Sequence, residues 1–279
     1  MGSVLSKVEP VDNIRVELNG EVYDILKRST SLSIRLQETK KYALGIIDMQ
    51  ADFCSGGKLM VTGAEEIIGP INRLRHLFKS MPTFVSLDMH PPDHVSFAST
   101  HAVKEYTKLT VSNTMRDGTN KTVEQAMWPT HCVKGSHGST LHPDVVILPD
   151  DFMIEKGTLK EVESYSAFGD EFQNSYENTG LLPWLKTRDI TDVILVGVAT
   201  DYCVANTAYD ALRLGFTVHI ISSCTRGVAA DTTAVAISNI INYGTNVGTR
   251  IGTHIGTNTN VHGRLYSSVD EFLQKNNTK

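Results

Sequence analysis

VILVGVATDYCV, residues 193–204, opens on six residues that are almost continuously apolar and then turns polar. Such a run is the signature of a strand buried on both faces, as in a parallel sheet. Behind it Thr200 is placed to cap a helix bearing Val204, Ala208, Ala211 and Leu212, with Gly215 to end it. The same strand-then-helix pattern recurs in both directions. Upstream, 43–48 (ALGIID) is a short apolar run, and 64–79 set Ile67, Ile68, Ile71, Leu74 and Phe78 on one helical face. Residues 83–88 (TFVSLD) read as a second buried strand, 145–148 and 152–155 as further strands, and 181–188 as a helix. Downstream, 217–222 (TVHIIS) read as a strand and 231–242 as a helix. This alternation predicts an α/β fold, three-layer α/β/α with a central, mostly parallel sheet. In such sheets ligands gather at the carboxyl ends of the strands.

Bulk composition narrows the function classes. The chain has 279 residues, 41% hydrophobic and 20% charged, as expected of an ordinary globular protein. A net charge of −5 argues against a general nucleic-acid binder, which needs clustered Lys and Arg. No apolar run approaches the eighteen or so residues of a membrane span. Cys54, Cys132, Cys203 and Cys224 are scattered with no CxxC pair, which favours free thiols in a reducing compartment and hence a cytoplasmic protein. No secretory signal is visible at the start. Met1-Gly2-Ser3-Val4-Leu5-Ser6 fits an N-myristoylation pattern at Gly2, and one acyl chain would give only weak membrane association.

Residues 1–40 read as an extension and 41–279 as the main domain. In the extension, alternating Ile14, Val16 and Leu18, then Asn19-Gly20, suggest a short hairpin. Two segments interrupt the main pattern. Residues 98–127 are polar and read as a long surface excursion. Residues 243–263 repeat Gly-Thr every four residues, too Gly-rich for a stable helix, and read as a mobile loop.

Chemistry concentrates at the predicted strand ends. Cys203 sits where a strand turns into a helix, and backbone N–H groups there favour thiolate and can hold an oxyanion. A thiol nucleophile needs a base and a neighbouring cation. Asp48 ends the first core strand and Lys156 the 152–155 strand, so both are predicted on the same edge as Cys203. Separately, Asp88-Met89-His90 places a carboxylate and an imidazole two apart on extended chain, where both can chelate one cation. His131 follows within Trp128-Pro129-Thr130-His131-Cys132. An Asp/His/His set with open positions suits Zn²⁺, Fe²⁺ or Mn²⁺.

Seven segments, in this order, resemble the nicotinamidase/pyrazinamidase branch of the isochorismatase-like hydrolase superfamily. They are residues 47–53 (IDMQADF), the DxH segment with 94–97 (HVSF), 128–135 (WPTHCVKG), 141–144 (LHPD), 155–157 (EKG), 165–168 (YSAF) and 200–204 (TDYCV). The resemblance spans about residues 41–242. It implies hydrolysis of nicotinamide to nicotinate and ammonia through a Cys203 thioester, in NAD salvage. Asp48 would be the base and Lys156 the third member of the triad. Asp88, His90 and His131 would hold a divalent metal, Zn²⁺ first, that binds the pyridine nitrogen, with His94 a candidate fourth ligand. The backbone N–H groups of Ala199 and Cys203 would form the oxyanion hole, with the 198–199 peptide cis. Phe53, Trp128 and Tyr165 would wall the ring pocket, and self-association is expected from relatives. Met89 stands where the family usually has Trp, and the 98–127 excursion and Gly-Thr tract are departures. The alternatives are another amidohydrolase of the superfamily or a binding relative without activity.

Overall fold

A computed structural model of the protein describes residues 14–18, 21–25, 40–114, 119–169, 179–243 and 261–276. The chain divides into two units, Met1–Arg35 and Leu36–Lys279. In the first, β1 (Ile14–Leu18) and β2 (Glu21–Ile25) pair antiparallel, with Leu18 opposite Glu21. The turn expected at Asn19-Gly20 and the motif at Gly2 lie outside the described residues.

The second unit runs β3 (Tyr42–Ile47), α1 (Ile68–Leu77), β4 (Thr83–Asp88), β5 (Lys108–Thr114), β6 (Asn120–Ala126), β7 (Phe152–Lys156), α2 (Leu181–Lys186), β8 (Asp192–Val198), α3 (Ala205–Arg213), β9 (Thr217–Arg226), α4 (Ala230–Ile241), β10 (Gly263–Tyr266) and α5 (Val269–Asn276). Six strands form one sheet in the order β10-β9-β8-β3-β4-β7, and every neighbouring pair is parallel. β3 and β8 lie at its centre and are buried along their whole length, which is why their sequences lack a polar face. One face of the sheet carries Phe84, Leu195 and Val218 against Leu185, Val204 and Leu212 of the helical layer. On the other face Phe272 of α5 meets Tyr42 of β3 and Phe78, just beyond α1. The fold is a three-layer α/β/α arrangement about a parallel sheet.

Several local expectations change. Residues 145–148 form no strand, because the backbone of Val146 is engaged by α1 side chains instead of a neighbouring strand. Val146 N–H donates to Asn72 Oδ1 at 2.9 Å, and Arg75 Nε donates to its carbonyl at 3.4 Å. Thr200 does not cap a helix. Residues Thr200–Val204 form a π-helical turn, Ala199 O accepts from Tyr202 and Val204, and the buried Thr200 hydroxyl has no partner among the described residues. Gly215 does follow the end of α3 at φ 95°, a conformation open to glycine. Within the 98–127 excursion, β5 and β6 pair antiparallel from Lys108↔Ala126 to Thr114↔Asn120. Of the Gly-Thr tract, residues 244–260 lie outside the described residues, and Gly263 already begins β10.

A buried polar chain links β8, β9 and β10. His219 Nε2–H donates to Asp192 at 2.8 Å, Tyr266 O–H meets His219 Nδ1 at 3.0 Å, and Lys40 reaches Asp192 at 3.3 Å. Burial pushes the His219 pKa down, with Asp192 opposing it only in part. For Asp192, burial opposes ionisation but the hydrogen bonds from His219 and Thr191 outweigh it and lower its pKa. Both shifts favour the forms present at higher pH, neutral His219 and ionised Asp192. Their contribution to stability is therefore full above about pH 6.5, the ordinary His value. It is lost as pH falls, through His219 first and Asp192 at lower pH. Urea unfolding is expected to show a free energy that declines below about pH 6.5, and His219→Gln should flatten that slope. An unchanged slope in the variant would contradict this assignment.

Candidate active site

Four neighbouring strands each deliver one group to a common carboxyl edge. Asp48 follows β3, Asp88 ends β4, Lys156 ends β7, and Cys203 lies in the turn after β8. All four are buried. In the register of β4 and β7, Asp88 stands opposite Lys156. The chain turns at once after β3, with Asp48 held at φ 49°, a left-handed conformation rare outside glycine and found at sites that need a side chain re-aimed. Gly197 allows β8 to pass there, since a Cβ on it would collide with the Ile47 backbone.

The Lys156 ammonium is the hub. Its Nζ lies 2.9 Å from Asp48 Oδ2, 2.5 Å from Asp88 Oδ1 and 3.3 Å from Cys203 Sγ, and donates to Ser164 O at 3.2 Å. Burial would discharge Lys156, but the two carboxylates outweigh it and hold its pKa well above the usual value. Burial works against ionised Asp88 as well. Lys156 and His90 overcome it and keep that carboxyl well below the usual range. Asp48 goes the other way: burial raises it, and Lys156 compensates only in part. Ser86 O–H donates to Asp48 Oδ1 at 2.7 Å. Among the described residues Oδ2 receives no hydrogen bond, because Lys156 approaches it off the hydrogen-bond direction. One carboxylate oxygen is thus free to take a proton.

Cys203 departs from the sequence expectation. Burial pushes its pKa well above the ordinary thiol value, Lys156 opposes this, and Asp48 and Asp88 add to it. The thiol therefore keeps its proton in the resting site, and forming the thiolate requires transfer to a base. Position at a helix terminus does not reveal this, because full burial of the sulfur, and after it the two carboxylates nearby, are set by tertiary packing.

A second set adjoins the first through Asp88. Donor atoms of Asp88, His90 and His131 lie within 4.8 Å of one another. His90 Nε2 is 3.6 Å and His131 Nε2 4.0 Å from Asp88 Oδ2. Each ring's other nitrogen meets a backbone carbonyl, His90 Nδ1 that of Gly157 at 2.9 Å and His131 Nδ1 that of Pro129 at 2.7 Å. Those bonds place the protons on Nδ1 and turn both Nε2 lone pairs toward Asp88, as in metal-binding histidines. Among the described residues, buried His90 Nε2 has no hydrogen-bond partner. An orphaned lone pair beside a carboxylate and a second imidazole fits a divalent cation. Burial, reinforced by His90, lowers the His131 pKa to about 4, so this ring is neutral and ready to ligate at neutral pH.

His94 is placed differently. Its Nδ1 meets Ser96 Oγ at 2.8 Å and its Nε2 meets Val162 O at 3.1 Å, and its ring stacks on His90 with centroids 4.1 Å apart. Both ring nitrogens are thus engaged within the protein. Two further residues belong to the site that the sequence reading did not single out. Gln50 grips the Asp88 backbone, accepting from its N–H and donating to its carbonyl, each at 2.8 Å. Glu163 is buried, lines the cavity and clusters with His90 and His94. Nothing in their spacing marks them; only Gln50's place within the 47–53 segment and Glu163's nearness to Tyr165 could have done so.

Part of this assembly faces a cleft of about 370 Å³, open solvent included. Cys203, Asp88 and His131 face it together with Phe53, Trp128 and Tyr165. Tyr165 O is fixed by Trp128 Nε1–H at 3.0 Å and Gln125 Nε2–H at 2.9 Å, which holds two aromatic walls in register. Ala199 also lines the cleft, and the Val198–Ala199 peptide is cis. Met89 is half-buried and does not line the cleft.

The architecture and its carboxyl-edge cleft are those of an isochorismatase-like hydrolase. The chain belongs to the isochorismatase family: residues 42–251 match the family model described as Isochorismatase domain. It is 40% identical over 188 residues to a nicotinamidase of Escherichia coli, covering 67% of this chain and 83% of that relative. The yeast nicotinamidase bound to the inhibitor nicotinaldehyde superposes with a TM-score of 0.65 at 33% identity, over 71% of this chain and 94% of that one. A Pyrococcus horikoshii pyrazinamidase in complex with zinc superposes with a TM-score of 0.56 at 30% identity, over 71% and 93%.

Proposed function

We propose that this chain hydrolyses nicotinamide to nicotinate and ammonia, as a step of NAD salvage. The observation that carries the reading is that Cys203 shares one aromatic-walled cleft with Asp88 and His131, two members of the Asp88/His90/His131 set. The names of the relatives support it. Asp88, His90 and His131 would hold the divalent ion, and Zn²⁺ is favoured by their donor chemistry and by the zinc-bound pyrazinamidase. When bound, that ion would supply a Lewis-acidic anchor for the pyridine nitrogen.

The chain's own groups carry the reaction. Phe53, Trp128 and Tyr165 hold the ring and exclude water. Asp48 Oδ2 takes the Cys203 proton, and the thiolate attacks the amide carbon. Ala199 and Cys203 N–H groups receive the oxyanion. Protonated Asp48 returns its proton to the amide nitrogen as the C–N bond breaks, ammonia leaves, and a nicotinoyl thioester remains on Cys203. Asp48 then deprotonates a water, which attacks the thioester and releases nicotinate with the thiol restored. Lys156 keeps the buried carboxylates and the transient thiolate compensated throughout.

A substrate panel tests the assignment. kcat/KM for nicotinamide is expected to exceed that for benzamide, which lacks the ring nitrogen, by about 100-fold or more, a gap of roughly 2.7 kcal/mol. Preference for an isochorismate or an N-carbamoyl substrate would overturn it in favour of another activity of the superfamily. The metal assignment has its own test. His131→Ala is expected to lose bound metal by elemental analysis, with affinity down at least about 10–100-fold, and to raise KM. Undiminished metal content in a folded variant would contradict it.

A further inference from the structure

We propose that Cys54, Glu65 and His142 form a second divalent-metal site, selective for a borderline-soft ion such as Zn²⁺, that clamps one wall of the cleft. The proposal does not depend on which amide the enzyme cleaves. Thiol, carboxylate and imidazole donor atoms of these three residues lie within 4.8 Å of one another, and none of the three belongs to the Asp88/His90/His131 set. Ligand atoms around a tetrahedral Zn²⁺ stand about 3.3–3.6 Å apart, so rotations of about 1 Å suffice to close the set on an ion. The mixture of sulfur, nitrogen and oxygen donors suits zinc and disfavours calcium or magnesium, which take oxygen.

Each donor is poised rather than used up. Cys54 is 3% exposed and free of disulfide, and its sulfur has no hydrogen-bond partner among the described residues. Its neighbours in the cluster are what the sulfur faces. The Glu65 carboxylate is oriented by Ser55, whose N–H donates to Oε1 at 2.8 Å and whose hydroxyl donates to Oε2 at 2.7 Å. Donors of this kind are the outer-shell partners that fix ligating carboxylates, and each oxygen keeps a lone pair for a cation. Asp144 N–H approaches His142 Nδ1 at 3.3 Å, leaving Nε2 without a partner among the described residues. Glu65 and His142 are half-buried, so water can complete the coordination shell.

The position gives the site a consequence. Cys54 directly follows Phe53, and the loop from Cys54 to Glu65 carries Leu59 and Val61, all three lining the cleft. His142 N–H donates to Met49 O at 2.8 Å, one residue beyond Asp48. An ion bound by all three residues would join both ends of that loop to the segment beside Asp48.

The test uses the full chain, stripped of metal and titrated with Co²⁺ alone, reading metal per chain and sulfur-to-cobalt charge-transfer absorption. Wild type is expected to take up two equivalents and to show the thiolate band. Cys54→Ser should take up one and lose the band. His142→Ala, at a half-exposed position, should also take up one, which keeps the test open if Cys54→Ser fails to fold. Cys203→Ala and His131→Ala should both keep the band. One equivalent in wild type would overturn the proposal, as would unchanged stoichiometry in folded His142→Ala. So would a band that survives Cys54→Ser and disappears in Cys203→Ala.

Discussion

Cys203→Ala is expected to lower kcat on nicotinamide by on the order of 10⁴-fold or more, while the protein stays folded and keeps its metal. The size follows from the role. Without the sulfur there is no thioester, and water must attack an unactivated amide directly. Binding should survive, because the aromatic walls and the Asp88/His90/His131 set do not depend on the thiol. KM should therefore change far less than kcat. Replacing a buried Cys by Ala removes one sulfur from a tight site and should cost little stability beside that loss. Steady-state kinetics with far-UV circular dichroism checks both parts. A variant retaining more than a few per cent of wild-type kcat would exclude the thiol as nucleophile.

Lys156→Met is expected to damage activity and stability together. The ammonium contacts two buried carboxylates and the thiol, all within 3.3 Å. Removing it leaves those carboxylates facing each other with no cation in the triad. Loss of one partner from a buried charge cluster typically costs about 3–5 kcal/mol. The Asp48 pKa, already raised by burial, should rise further, so that Asp48 is protonated near neutral pH and cannot act as base. A fall in kcat of at least about 100-fold is expected from losing that base. Adding Asp48→Asn to Lys156→Met should recover part of the stability and none of the activity. Urea unfolding of the single and double variants separates these effects. Equal stability of wild type and Lys156→Met would show that the cluster is compensated by some other charge.

Much of this was legible in the sequence because buried parallel strands announce themselves. The runs 43–48, 83–88 and 193–198 contain the residues that lie in the middle of the sheet, and the strand-end rule then aligned Asp48, Asp88, Lys156 and Cys203 on one edge. What escaped was set by contacts distant in sequence. The 145–148 run looked like a strand, yet Asn72 and Arg75 of a helix claim its backbone. β10 was hidden behind a Gly-rich tract, since four residues, Gly263–Tyr266, are too few for a period to emerge. The protonation of Cys203 could not be read locally, because it follows first from burial of the sulfur in the folded site and then from carboxylates that arrive from β3 and β4. Gln50 and Glu163 escaped for the same reason: what they touch in space has no counterpart in their spacing.

The most direct test of the account is ammonia release from nicotinamide by the purified protein, measured beside a chelator-treated sample and beside Cys203→Ala. The untreated enzyme is expected to release ammonia, and both controls to lose that release. A folded, metal-loaded protein that releases no ammonia would contradict the proposed activity, and release that persists in Cys203→Ala would contradict the chemistry assigned to it.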